Sequence, residues 1–137
     1  MRSDPELEAA LAAARERGRI RAREILDGDD MLSAEAFAEV LCATQTTLNA
    51  MRQNGQVLGL DGGKCGVRFP VWQLNIEGAP YPELASLHRC LGGPWAVYRF
   101  LVQPHGALNG LTGRQALERG AGMNALNTAV SIVRDFD

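Results

Sequence analysis

Residues 37–52 read FAEVLCATQTTLNAMR. A helix-turn-helix needs a small residue where two helices cross closely, and a tight turn about four residues later. It then needs a polar cap for the second helix and apolar anchors to lock that helix down. Ala38 suits the crossing, Cys42-Ala43 the turn, Thr44 the cap, and Leu48 and Met51 the anchors. The turn position usually favours glycine because it often takes a positive φ, so Cys42 is a departure that implies either modest strain or a slightly different turn. Upstream, Ser33 is a plausible N-cap, Glu35 and Glu39 favour the start of the first helix, and Phe37, Ala38 and Leu41 make its buried face. Asn54-Gly55 is a helix-ending signal.

The polar residues of the second helix have the chemistry of base recognition. Thr44, Gln45, Thr46, Thr47, Asn49 and Arg52 can donate or accept at base edges. Asn and Gln match adenine, Arg matches guanine, and Thr can meet a thymine methyl. An ordinary helical hairpin with a polar outer face is the plain alternative. Residues 57–69, VLGLDGGKCGVRF, then change period: Val57, Leu58 and Leu60 stand on one side of a glycine-rich turn, Val67 and Phe69 on the other. This predicts a β-hairpin ended by Pro70. A hairpin after a helix-turn-helix is the winged arrangement, with Lys64 and Arg68 placed for phosphate or minor-groove contact. The alternative is a surface hairpin with two solvated charges.

The bulk composition constrains this reading. The chain has 137 residues, enough for one domain or two very small ones sharing a core. It is 46% hydrophobic and only 6% aromatic, with abundant Ala, Leu and Gly, which favours helices over a β-sandwich. The formal charge of −2 argues against a protein that coats DNA non-specifically. Residues 1–30 carry six arginines against eight acids, 31–74 three bases against three acids, and 75–137 five against five. Any DNA affinity must therefore come from local patches, and a homodimer reading paired half-sites is expected. No apolar run reaches the roughly 18–20 residues of a membrane helix, and the N-terminus lacks a signal-peptide h-region, so a cytoplasmic location is expected. Cys42, Cys65 and Cys90 form no CxxC, which fits thiols in a reducing compartment.

Three segments are expected: an N-terminal amphipathic helix within 1–30, a winged helix-turn-helix at 31–74, and a helical unit at 83–137. In the first, Asp4 caps a helix with Pro5 in its first turn. Leu7, Leu11, Ala14, Gly18, Ala22 and Ile25 form an apolar stripe. Gly18 weakens this helix and could divide it. The arginines of RERGRIRAR (15–23) read either as a solvated face paired with Glu8, Glu16 and Glu24, or as a phosphate-contacting or dimer-forming helix. Residues 71–82, with Gly78, Pro80 and Pro82, suggest a hinge. Beyond it, Leu84, Leu87 and Leu91 form a stripe stopped by Gly92-Gly93, and Pro94 opens a helix ended by Pro104. Thr112 caps a short helix stopped by Gly120. A last helix carries Met123, Leu126, Val130 and Val133 at regular spacing.

The C-terminal run PWAVYRFLVQPHGALNGLTGRQALERGAGMNALNTAV has a recognisable form. Phe100-Leu101, Pro104, Leu108, Asn109, Gly110, Thr112, Leu117 and Gly120 occur in the order of a known pattern. In these residues the segment resembles the C-terminal toxin-binding domain of Xre/MbcA/ParS-type antitoxins over about 45 residues. Gly113 replaces the proline usual after the threonine. The resemblance implies an autorepressor that binds its operator and also inhibits a partner toxin, often a RES-domain protein. It further implies that Arg114, Glu118, Arg119 and the final helix through Arg134 lie nearest that toxin. A winged N-terminal unit departs from the all-helical N-domain of that family. A stand-alone regulator using its C-terminal half for dimerisation therefore stays open, as does an interaction module that never meets DNA.

Signals for catalysis are sparse. His88 and Cys90 are two apart and would face different sides of a helix. His105 sits in a loop. No metal-ligand spacing, GxGxxG or GxxxxGK occurs, and DGGKCG precedes a strand-like segment rather than a helix. Trp72, Trp95 and Phe100 read as core. The expectation is a mainly α protein that is not an enzyme and needs no cofactor or metal.

Overall fold

The computed structural model describes residues 4–62 and 66–135. Among these the chain is mainly helical. Seven α-helices, α1 (Pro5–Leu26), α2 (Ala34–Val40), α3 (Gln45–Gln53), α4 (Glu83–Leu91), α5 (Pro94–Val102), α6 (Gly113–Glu118) and α7 (Gly122–Asp135), accompany three strands, β1 (Met31–Ser33), β2 (Leu60–Asp61) and β3 (Val67–Pro70). The strands form one antiparallel sheet of order β1-β3-β2. No helix is long and apolar enough to cross a membrane among the described residues.

The helix boundaries follow local chemistry. Asp4, Ser33 and Thr44 each accept a backbone N–H at the start of α1, α2 and α3. Thr112 and Gln115 form a reciprocal capping box at α6. Gly18 does not divide α1, which runs unbroken for 22 residues. Three helices close with the same pair of backbone bonds, a long one from two residues past the cap and a shorter one just inside it. At α3 these are Gln56 N to Met51 O and Gly55 N to Arg52 O, and at α6 Ala121 N to Ala116 O and Gly120 N to Leu117 O. At α2 they are Ala43 N to Ala38 O and Cys42 N to Glu39 O. The left-handed residue is glycine in the first two cases (Gly55 at φ 75°, Gly120 at φ 78°) and Cys42 at φ 56° in the third.

The sheet is a wall between two cores. Side chains alternate along a strand, and directly paired residues share a face. β3 pairs Phe69 with Leu32 of β1, and Arg68 with both Ser33 of β1 and Leu60 of β2. Phe69 and Leu32 belong to the smaller core, with Phe37, Ala38, Leu48 and Val57. There Phe69 stacks on Phe37, ring centroids 4.9 Å apart. Leu60 and Met31 face the other way, into the larger core built on Leu84, Leu87, Val97, Phe100, Leu101, Leu117 and Ala129. The strand β1 was not expected. Its three residues carry no strand signal of their own and are held by pairing with β3. Pro70 is the last residue of β3 rather than a terminator outside it, and Val57 and Leu58 are buried without being strand.

The suggested hinge at 71–82 is instead a fastening. Val71–Gln73 is a 3-10 turn, and Gln73 is buried. Its carboxamide accepts from Leu58 N at 2.6 Å and donates to Leu58 O at 2.9 Å and Pro70 O at 3.0 Å. The loop beyond is closed by a Leu74–Pro80 bridge, and Asn75 Oδ1 accepts from Glu77 N and Ala79 N.

In the C-terminal half, α4 and α7 make the most extensive helix–helix contact. The buried face of α7 is Gly122, Ala125, Thr128 and Ala129, whereas Met123 is 70% and Val130 40% exposed. Of the apolar spacing Met123-Leu126-Val130-Val133, Leu126 packs against the larger core and Val133 is half-buried, whereas Met123 and Val130 point outward. Small residues point inward because α4 approaches closely: a Cβ at Gly122 would come within 2.6 Å of Glu83 Cδ. Gly113, at the position where the resemblance predicts proline, is similarly confined, a Cβ there lying 2.8 Å from both the Phe100 ring and its carbonyl oxygen. Trp72, Trp95 and Tyr98 line the rim of the larger core. Trp72 Nε1 donates to Asp30 Oδ2 at 2.8 Å, and Trp95 meets Tyr98 edge-on at 5.8 Å. Burial, then the Asp30 carboxylate, raises the Tyr98 phenol above its ordinary 10.0.

Two substitutions test this account. Gln73→Leu leaves three buried backbone groups without partners and is expected to cost about 2–4 kcal/mol by urea unfolding, whereas a loss under about 0.5 would contradict the fastening role. Cys42→Gly relieves a left-handed non-glycine residue and is expected to add about 0.5–1 kcal/mol, seen as a raised Tm.

Candidate nucleic-acid interface

The second helix of the α2–α3 pair is held from inside. Leu48 is buried among Phe37, Phe69 and Val57, and Met51 packs at the edge of the same core. Gly59 lets α3 settle on the sheet: a Cβ there would lie 2.6 Å from Arg52 Cδ and 2.9 Å from Phe69 and Val67. Gly55 is buried against α4, its would-be Cβ 2.9 Å from His88 Cβ, so the far end of α3 is braced by the C-terminal half.

The outward face of α3 is polar and carries no acid. Gln45, Thr46, Thr47 and Asn49 are exposed, and Arg52 is half-buried. Arg52 lays its stem on Gly59, and its Nη2 donates to Asn49 Oδ1 at 3.4 Å. The guanidinium is thereby aimed along the helix surface rather than left to rotate freely. Gln45, Asn49 and Arg52, with Ala34, Leu48, Val67 and Phe69, border a recess of about 200 Å³ between α3 and β3. Thr44 and Thr47 are placed differently from the others. The Thr44 hydroxyl accepts from Thr47 N at 3.1 Å and lies 3.0 Å from the Thr47 hydroxyl, so both serve the cap. Gln53 was missed by sequence reading. It is exposed, and at 46, 49 and 53 the i, i+3, i+7 spacing puts Thr46, Asn49 and Gln53 on one stripe. That spacing was legible without a structure.

The structure does not bring Arg68 to this surface. Its partners Leu60 and Ser33 share its face of the sheet, the face opposite Phe69 and α3, and Arg68 is half-buried on the central strand. Lys64 and Cys65 lie outside the described residues. The hairpin is present as β2 and β3, with two residue pairs between them.

Among the partner-contact candidates, Arg114 is anchored within the chain. Its guanidinium carbon stands 4.9 Å from the centre of the Trp72 ring and its Nε is 3.5 Å from Glu118 Oε1. Arg119, which caps α6, and Arg134, in the last turn of α7, are exposed. The resemblance residues build the loop ahead of α6: Asn109 (φ 58°) and Gly110 (φ 85°) are left-handed, and Pro104 bridges Thr112. Beside them Leu91, Ala96, Phe100, Ile132 and Val133 line a groove of about 560 Å³. Both histidines are committed to backbone, with His88 Nδ1 2.8 Å from Leu84 O and His105 Nε2 2.8 Å from Phe100 O. Among the described residues no group of three or more His, Cys, Asp or Glu side chains converges.

No protein-family profile matches the chain, and no curated protein matches it by sequence. Among solved structures, the NMR structure of Rv2175c is similar in fold. The two superpose with a TM-score of 0.68 at 17% sequence identity, over 80% of this chain and 85% of that one.

Proposed function

We propose that the chain is a sequence-specific double-stranded-DNA-binding regulator. In this reading α2, the Cys42 turn and α3 are a helix-turn-helix, α3 enters the major groove, and the β2–β3 hairpin is its wing. One observation carries it: α3 presents an acid-free outward face of Gln45, Thr46, Asn49 and Gln53, with Arg52 oriented by Asn49, on a helix locked from beneath by Leu48. A recognition element needs that combination of rigid seating and unspent donors and acceptors. Thr44 and Thr47 hold the cap, and Arg68, on the far face of the sheet, is left out of the base-reading set.

A second reading is favoured by the C-terminal half. The groove beside Phe100 and Ile132 is one apolar recess of this half, and Met123 and Val130, on another face of α7, are exposed apolar side chains. With the resemblance to toxin-binding domains, this supports an antitoxin-like protein that represses its own operator and holds a toxin, of RES type by analogy, against α7. Arg119 and Arg134 would rim that contact. The two readings are compatible in one chain, since the DNA-reading helix and α7 belong to different cores.

The DNA reading is tested by fluorescence anisotropy with the chain's own upstream DNA across a salt series. Salt-sensitive binding is expected, with little binding to scrambled duplex. Asn49→Ala combined with Gln53→Ala is expected to weaken specific binding about 10- to 100-fold with the circular-dichroism spectrum unchanged. Binding that survives both changes at full strength would remove α3 from the groove. For the second reading, co-expression with the product of the adjacent gene should yield a stable complex that Val130→Asp with Met123→Asp disrupts; a complex indifferent to that pair would place the contact elsewhere.

A further inference from the structure

We infer that α1 is a self-association helix, pairing antiparallel with α1 of a second copy of this chain across residues 4–21. This rests on α1 alone and not on the DNA reading.

Every residue from Asp4 to Arg21 is exposed, and burial begins at Ala22, with Ile25 and Leu26 reaching the larger core. The bare segment nevertheless carries an apolar stripe, with Leu7 56% and Leu11 46% exposed. Gly18 lies on that stripe and is unexplained by the chain's own packing, since a Cβ there meets nothing within 4 Å. A mid-helix glycine costs about 1 kcal/mol of helix stability, and here it leaves room on the stripe for a large side chain of another helix.

The charges choose the occupant. At 100° per residue, Asp4, Glu8, Arg15 and Arg19 flank one side of the stripe, and Glu6, Arg17, Arg21 and Glu24 the other. Acids come first and arginines later along each flank through position 21. In an antiparallel pair each flank meets the same flank of the partner, so Asp4 and Glu8 face the partner's Arg19 and Arg15, and Glu6 faces the partner's Arg17 and Arg21. In a parallel pair the flanks cross, so Glu8 meets Glu6 and Arg15 meets Arg17. Opposite charges therefore select a second copy in antiparallel orientation. Within the monomer Glu16 pairs with Arg19 at 3.2 Å and Glu24 with Arg21 at 3.6 Å, while Arg15 and Arg17 have no ion-pair partner among the described residues.

Packing agrees with the register. Centring the overlap on the exposed segment sets Leu7 against Gly18 and Leu11 against Ala14, large opposite small at each level. The overlap spans about 27 Å of helix. At each end it runs into a groove of about 560 Å³ where α1 meets α5, lined by Gly18, Arg21, Trp95, Tyr98, Arg99 and Val102. The partner's first turn reaches that groove, its Glu6 towards Arg21.

The test is the oligomeric state of the full chain in the absence of DNA, by sedimentation equilibrium at low salt. The wild type is expected to dimerise. Glu8→Arg and Arg15→Glu, each alone, are expected to weaken dimerisation roughly tenfold, since each turns two symmetry-related attractions into repulsions. The combined Glu8→Arg/Arg15→Glu chain is expected to regain most of the lost affinity. Both changes lie on solvated helix surface, and circular dichroism verifies that each variant is folded. A wild type that is monomeric at roughly 100 µM overturns the proposal. So does a single reversal that strengthens association, the signature of parallel pairing, or a double variant no better than the singles. DNA binding is measured separately, so a failed α1 contact and a failed DNA reading are distinguishable.

Discussion

The carboxamide of Gln73 is the contact on which the architecture turns. It is a fully buried polar group, and it binds backbone at two separate places, Leu58 and Pro70. Those places are where the cores adjoin: Val57 closes the smaller one and Leu58 the larger. A buried donor or acceptor tolerates few arrangements of its surroundings, whereas apolar contacts tolerate many. Gln73 therefore sets how the segment leaving α3 lies against the end of β3. The seating of α3, the sheet and the first C-terminal helix all follow from it.

Much of this was legible in short-range chemistry. Ser33, Thr44 and Thr112 announce helix starts, Gly55, Gly92 and Gly120 announce ends, and the left-handed turn at Cys42 follows from the spacing of its neighbours. Other features depend on contacts distant in sequence. β1 exists because β3 pairs with it, not because Met31-Leu32-Ser33 prefers extension. The inward face of α7 is chosen by the nearness of α4, which selects Gly122, Ala125 and Ala129 over the bulkier Met123 and Val130. Hydrophobicity ranks those residues in the opposite order, so periodicity alone finds Leu126 but misses the small residues at the contact.

The candidate surface divides in the same way. The polar face of α3 could be read directly, and a strict helical count would have added Gln53. The commitment of Thr44 and Thr47 to the cap is a local pattern that base-recognition chemistry had overshadowed. Arg68 needed tertiary knowledge. Its side of the sheet is settled by β3 being central and by Phe69 facing the smaller core. Gln73 drew no notice in the sequence because a glutamine between Trp72 and Leu74, a few residues past a proline, resembles any loop residue.

The placement of the sheet between two cores has a consequence for fidelity of folding. Side chains on β3 alternate with a period of two, so a slip of one residue would carry Phe69 into the larger core and Arg68 into the smaller one. Strands with one solvated face lose a single set of contacts when they slip. Here both sides object at once, and a charge is driven into an aromatic stack on one of them. A strand of four residues with few ladder bonds thus acquires an error check that its length alone would not provide.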